Sequence, residues 1–259
     1  MWTLIIGIMV PFLGTSLGAL CIVFMKKQWN MQASRGLNGF AAGVMVAASI
    51  WSLLIPALEQ SSSYGVFAFM PPMMGFWLGI LFLYFLAYFA KNVSVCERRC
   101  LWDNQRMCRA MMLVFAIVIH NIPEGMAVGV AYAGWRSGTA GITALGALTL
   151  SIGIAIQNFP EGAIVSMPLR AQGMRRRKAV VYGILSGIVE PIAAVITLLL
   201  AGVLRPAMPY LLSFAAGAML YVVVQELIPD MAEGSGANRR ILLFALGFSL
   251  MMGLDVALG

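Results

Sequence analysis

Eight long apolar stretches recur along this chain, at about residues 2–25, 38–58, 66–90, 110–133, 139–165, 179–203, 207–229 and 240–258. Each approaches or exceeds the length a helix needs to cross a bilayer. No other feature narrows the fold as much, because a chain in lipid must satisfy its backbone polar groups internally, as a helix does. Only 10% of the 259 residues are charged and 61% are hydrophobic. A soluble domain carries roughly 25% charged residues, so this chain cannot dress a water-facing surface. The expectation is an all-α polytopic membrane protein of eight transmembrane helices, a single domain over 1–259 in contact with the lipid bilayer.

The loops predict the orientation. Lys26, Lys27 and Arg35 lie between stretches 1 and 2, and Lys91, Arg98, Arg99, Arg106 and Arg109 between 3 and 4. Arg170, Arg175, Arg176, Arg177 and Lys178 lie between 5 and 6, and Arg239 and Arg240 between 7 and 8. Only Arg136 and Arg205 fall on the other side. Basic loops stay in the cytoplasm, which puts both termini outside and the protein in the plasma (inner) membrane. The first stretch has its charges after the apolar core, unlike a secretory signal, and reads as a retained span. The net charge of +7 is scattered through loops and is a matter of topology, not of nucleic-acid binding. Cys96, Cys100 and Cys108 fall in a loop assigned to the cytoplasm, where disulfides are rare. They read as reduced thiols, with a soft-metal site as the alternative.

Two echoes sit inside this pattern. "HNIPEG" (120–125) and "QNFPEG" (157–162) lie on consecutive stretches running in opposite directions. "FAAGVMVAASIWSLLIPALE" from Phe40 and "FAAGAMLYVVVQELIPDMAE" from Phe214 form a second pair, also antiparallel, with the proline one residue earlier in the second copy. Inverted repeats of this kind mark secondary transporters, whose sites lie near the membrane midplane at broken helices.

Glu124, Glu161 and Glu190 all fall inside apolar stretches. An ionised group at the bilayer centre costs roughly 2.5–3.5 kcal/mol, on the order of 8–10 kcal/mol for three without a partner. No Lys or Arg lies at that depth, so either the three are protonated or a cation sits among them. The spacing favours the cation. His120 and Glu124 are one helical turn apart, and Gln157 and Glu161 repeat the interval. Asn121 and Asn158 each precede the glutamate by three. Pro123 and Pro160 lack the N–H that would bond four residues back, which frees the carbonyls of Ile119 and Ile156. An imidazole with carboxylate and amide oxygens suits Zn²⁺, Fe²⁺, Mn²⁺ or Co²⁺. Met45, by its surroundings alone, reads as core packing.

These residues resemble the ZIP family of divalent-metal transporters. The likeness rests on the paired "HNIPEG" and "QNFPEG", on "SGIVEP" in the sixth stretch and on "LIPALE" closing the second, and runs from about Phe40 to Asp230. The short chain and "AAGVMVAAS" are similar to the GufA-type branch. The resemblance implies uptake of divalent metal through a midplane centre for two ions. His120, Glu124, Gln157 and Glu161 match its first, transport-competent site, and Met45 matches a thioether ligand there. Asn121, Glu124, Asn158, Glu161 and Glu190 match the second, with the two PEG glutamates shared. It also implies that spans 4 and 5 lie inside a ring of the others, with spans 1–3 mirroring 6–8. Many members carry Asp where Asn158 stands, so the second site is less anionic here. The loop between spans 3 and 4, often His-rich in the family, has no histidine.

The function expected is therefore movement of zinc (with iron, manganese, cobalt and cadmium left open) into the cytoplasm by alternating access. Glu59 marks a candidate inlet and Gln225 and Glu226 a candidate outlet. The alternative is a proton or monovalent-cation carrier using the carboxylates alone, which leaves His120 and the paired amides without a role. An intramembrane metalloenzyme is disfavoured, since one histidine is too few for known zinc-protease ligand sets. A homodimer is compatible with the sequence but not specified by it.

Overall fold

The computed structural model describes residues 2–23, 31–94, 105–138, 142–171, 173–203 and 207–258. Every regular element among them is helical: α1 Trp2–Cys21, α2 Met31–Ala48, α3 Ile55–Gln60, α4 Met70–Ser94, α5 Gln105–Ser137, α6 Ala144–Ala171, α7 Arg176–Gly187, α8 Val189–Val203, α9 Met208–Val222, α10 Ile228–Ala232 and α11 Ala237–Leu258. Among the described residues, seven segments are long and apolar enough to cross a membrane: 2–21, 34–60, 70–88, 144–170, 176–200, 208–232 and 237–257. They overlay seven of the expected stretches. The stretch expected from 66 starts later, because Ser62–Phe67 is a 3₁₀ turn with Gly65 at φ 57°. The remaining stretch, 110–133, lies within α5, a continuous helix of 33 residues.

The helices pack in pairs: α1 along α6, α5 along α8, α2 along α11 and α4 along α9. With lipid as apolar as leucine, such pairs are held by close backbone approach, and glycines on both partners provide it. A Cβ on Gly43 would lie 2.0 Å from the Phe244 carbonyl oxygen, and one on Gly247 would lie 2.2 Å from that of Phe40. Gly79 and Gly217 do the same for α4 and α9, against Phe214 and Phe76. The apolar stretch of α6 is 67% buried, against 22% for α11 and 28% for α4. The second PEG motif therefore sits at the protein's interior, and α4 and α11 lie at its periphery.

Pro123 and Pro160 do not end their helices; α5 and α6 run on through them. Each proline removes one backbone bond, and the helix continues past it. The interruptions lie elsewhere. Between α2 and α3, Ser49–Leu54 is π-helical, closed by Ile55 N–H on the Ile50 carbonyl. Between α9 and α10, Val223–Leu227 is π-helical, closed by Ile228 N–H on the Val223 carbonyl. Each widened turn directly precedes an Ile-Pro pair, where the proline ring would crowd the carbonyl four residues back. The two π segments have six and five residues. The one-residue offset between the FAAG echoes is thus absorbed there.

The ends of α2, α10 and α11 are locked together by charge. Arg35 bonds the Glu233 carboxylate and lies 3.7 Å from Asp230, which also accepts from Asn38 Nδ2 at 2.8 Å. Arg240 is buried, although the sequence marks it only as a loop charge. It donates to the carbonyls of Glu233 (2.8 Å), Gly234 (3.4 Å), Ser235 (2.6 Å) and Gly236 (3.3 Å). Gly234 and Gly236, at φ 76° and 87°, turn that loop inward. Arg240→Leu leaves those carbonyls without their donor, at about 1–3 kcal/mol for each one that stays buried. The expected result is faster amide exchange at residues 233–240 and unchanged exchange in α6, read by hydrogen–deuterium exchange.

Candidate metal centre

Glu124 projects from the middle of α5, Glu161 from the middle of α6, and Glu190 from the first turn of α8, with exposures of 1%, 9% and 1%. The sixth expected span is itself broken here: α7 ends at Gly187 and α8 begins at Val189. Pro191 lacks an N–H, which forces the break or accommodates it. Glu190 then sits in the first turn of α8.

The three acids are neighbours, and the amides of the motifs lie among them. Gln157 Nε2 donates to Glu124 Oε1 at 2.6 Å. Asn121 Nδ2 donates to Glu190 Oε1 at 2.9 Å and to the Ser186 carbonyl at 3.2 Å. Asn158 lies beside both Glu124 and Glu190. Glu161 is close enough to feel the charges of Glu124 and Glu190.

The Asn121 and Gln157 donors are spent, Asn158 Nδ2 has no partner among the described residues, and the acceptors are left over. Asn121 Oδ1, Glu124 Oε2, Gln157 Oε1, Asn158 Oδ1, Glu161 Oε2 and Glu190 Oε2 are all buried with no hydrogen-bond partner among the described residues. Leaving a buried acceptor unpaired costs about 1–3 kcal/mol each, and buried polar atoms in folded proteins are seldom orphaned. Six oxygens from three neighbouring helices, lacking only a positive charge, have the chemistry of a hard-to-borderline cation site. Among the described residues, no three His, Cys, Asp or Glu groups form a metal cluster by themselves. The amides therefore supply part of the arrangement; His120 has its backbone in α5 and its side chain outside the described residues.

Met45 is buried in α2, within the apolar core. Glu59 is exposed at the end of α3. Gln225 and Glu226 are exposed on the second π segment, with Glu226 near enough to Glu161 for their charges to interact. Cys96 and Cys100 lie outside the described residues, as does the side chain of Cys108.

Two residues escaped the sequence reading. Thr15, buried in α1, donates to Glu190 Oε1 at 2.7 Å. A threonine in an apolar helix carries no signal by itself. Asp255 of α11 is buried and accepts from Ser52 Oγ at 2.7 Å, with its second oxygen unpaired. It lines a cavity of about 100 Å³ with Trp51, Pro56, Thr143 and Leu150. Its signal was available, since it is an acid inside the last apolar stretch.

A family profile described as "ZIP Zinc transporter" matches residues 97–255, which include all three glutamates. The chain belongs to the ZIP family. Zinc transporter ZIP11 of Xenopus tropicalis is 34% identical over 95% of this chain and 94% of its own length. Zinc transporter ZIPB of Bordetella bronchiseptica is 34% identical over 98% of this chain and 81% of its own. Zinc transporter GufA of Myxococcus xanthus is 31% identical over 95% and 94%, in line with the GufA-type likeness of the motifs. As a member of the ZIP family this chain is a multi-pass membrane transporter and not an enzyme.

Proposed function

We propose that this ZIP-family chain carries zinc across the membrane into the cytoplasm through a buried centre for two ions. The observation that carries the reading is the set of six partnerless oxygens on Asn121, Glu124, Gln157, Asn158, Glu161 and Glu190. The first ion takes His120, Glu124, Gln157, Glu161 and Met45, and the second takes Asn121, Glu124, Asn158, Glu161 and Glu190. With an amide at 158 the second site holds its ion less tightly than it would with a fourth carboxylate there. The same N/O donors accept iron, manganese, cobalt and cadmium, so the reading includes them as competitors.

In this reading α5 is the fourth of eight spans, both termini are outside, and the protein resides in the plasma (inner) membrane. Spans 1–3 relate to spans 6–8 by inverted symmetry. Two features support that relation. The α1–α6 pairing has its counterpart in α8–α5, and the α2–α11 pairing in α9–α4. The two π segments before Ile-Pro are counterparts as well. The glutamates all belong to the bundle of α1, α5, α6, α7 and α8, which packs more tightly within itself than against α2, α4, α9 and α11. Motion of one bundle against the other exposes the centre to each side in turn. Asp255 and its cavity lie on the outer approach, inside of the exposed Glu59, and Gln225 and Glu226 on the inner one.

The test is uptake by purified protein in proteoliposomes, with a panel of Zn²⁺, Fe²⁺, Mn²⁺, Co²⁺, Cd²⁺ and Na⁺ outside. Zinc accumulates and is competed by the transition metals but not by a hundredfold excess of Na⁺. Sodium competition with no zinc accumulation would support the monovalent-cation carrier instead.

A further inference from the structure

Both PEG glycines press against a neighbouring helix, and the two residues they press against touch each other. A Cβ on Gly125 of α5 would lie 2.3 Å from the backbone oxygen of Glu190. One on Gly162 of α6 would lie 1.9 Å from the backbone oxygen of Thr15. Thr15 therefore stands to the second PEG motif as Glu190 stands to the first. A third glycine completes the enclosure, since a Cβ on Gly187 would lie 2.8 Å from Thr15 Cβ and 3.1 Å from Glu190 Oε1. The space between α1, α6 and α7 is thus cut to admit this side chain, which is fully buried.

The threonine hydroxyl is spent on one oxygen only. Glu190 Oε1 accepts from Thr15 at 2.7 Å and from Asn121 at 2.9 Å, whereas Glu190 Oε2 has no partner. Two donors on one oxygen restrain the carboxylate's rotation. The other oxygen is left without a donor, in a carboxylate that neighbours Glu124 and Asn158. Hydrogen bonds of this kind orient metal-binding carboxylates, and losing one weakens metal binding by about 10- to 100-fold.

We infer that Thr15 is a positioning residue for the second ion: by holding Glu190 Oε1 it presents Oε2 to the metal. The inference rests on the two-ion reading above. It also gives the first span a part in the centre that its apolar sequence does not suggest. Thr15→Val keeps the shape and removes the donor, whereas Thr15→Ser keeps the donor.

Calorimetric titration of the purified full chain with Zn²⁺ tests it, using wild type, Thr15→Val, Thr15→Ser, Glu190→Gln and the Thr15→Val/Glu190→Gln double variant. Thr15→Val weakens the weaker ion about 10- to 100-fold and leaves the stronger within about twofold. Thr15→Ser restores wild-type binding, a rescue that mere helix packing would not predict. In the Glu190→Gln background, Thr15→Val has no further effect, because the carboxylate oxygen that Thr15 presents to the metal is already gone. If Glu190→Gln weakens the second ion and Thr15→Val does not, the role of Thr15 is wrong and the two-ion reading stands. If neither changes binding, both fall. Should Thr15→Val not fold, Thr15→Ala, which needs no added space, is read by the same criteria.

Discussion

Glu124→Ala or Glu161→Ala abolishes zinc uptake, lowering the initial rate in proteoliposomes by about 100-fold or more. The size follows from the geometry. Each glutamate serves both proposed ions, so one substitution strips a charged ligand from two sites at once. Glu124→Ala also removes the acceptor of Gln157 Nε2, which lies 2.6 Å away, and leaves a buried amide donor unpaired at about 1–3 kcal/mol. Altering a group that merely orients a ligand already costs about 10- to 100-fold in metal affinity, and losing the ligand costs more. The proteins must elute as single species, since a variant that aggregates says nothing of the site. Uptake at the wild-type rate by both variants would remove these carboxylates from the pathway.

The second large effect is on stability. Gly43→Ala places a methyl group 2.0 Å from the Phe244 carbonyl oxygen and 2.7 Å from the Phe248 nitrogen. Both obstacles are backbone, so α2 and α11 must separate. Overpacking costs about 1–3 kcal/mol where side chains can yield, and here they cannot. A drop of about 5–10 °C in apparent Tm is expected, by the size scaling of unfolding entropy. Gly247→Ala, whose methyl meets the Phe40 carbonyl at 2.2 Å, behaves alike. Gly253→Ala, with nothing within 4 Å, is the control and stays within about 1 °C. Equal melting of all three would mean that α2 and α11 are not in glycine-mediated contact.

The residues of the centre were legible because membrane burial makes them conspicuous. An acid in an apolar stretch needs a reason, and the repeated PEG motif with amides at fixed intervals supplied one. Helical periodicity then set Gln157 near Glu161, although it could not say which acid each amide would bond. Gln157 in fact bonds Glu124 on the neighbouring helix. Asp255 obeys the same rule as the other acids but lacks a motif around it. Thr15 breaks no rule at all, because a hydroxyl in an apolar helix usually bonds its own backbone. Arg240 was misjudged as one more loop charge, since its burial depends on a turn of two left-handed glycines.

The amino-acid sequence alone determined the helical membrane class, the approximate extent of the apolar stretches and the identity of the buried acids. Those depend on local hydrophobicity and spacing, which each segment carries by itself. The tertiary structure decided which helices touch, where the spans are broken, and which oxygen of Glu190 is left over. Such outcomes hinge on backbones approaching within a few ångströms across chain separations as long as the 175 residues between Thr15 and Glu190. No local pattern encodes a distance of that kind.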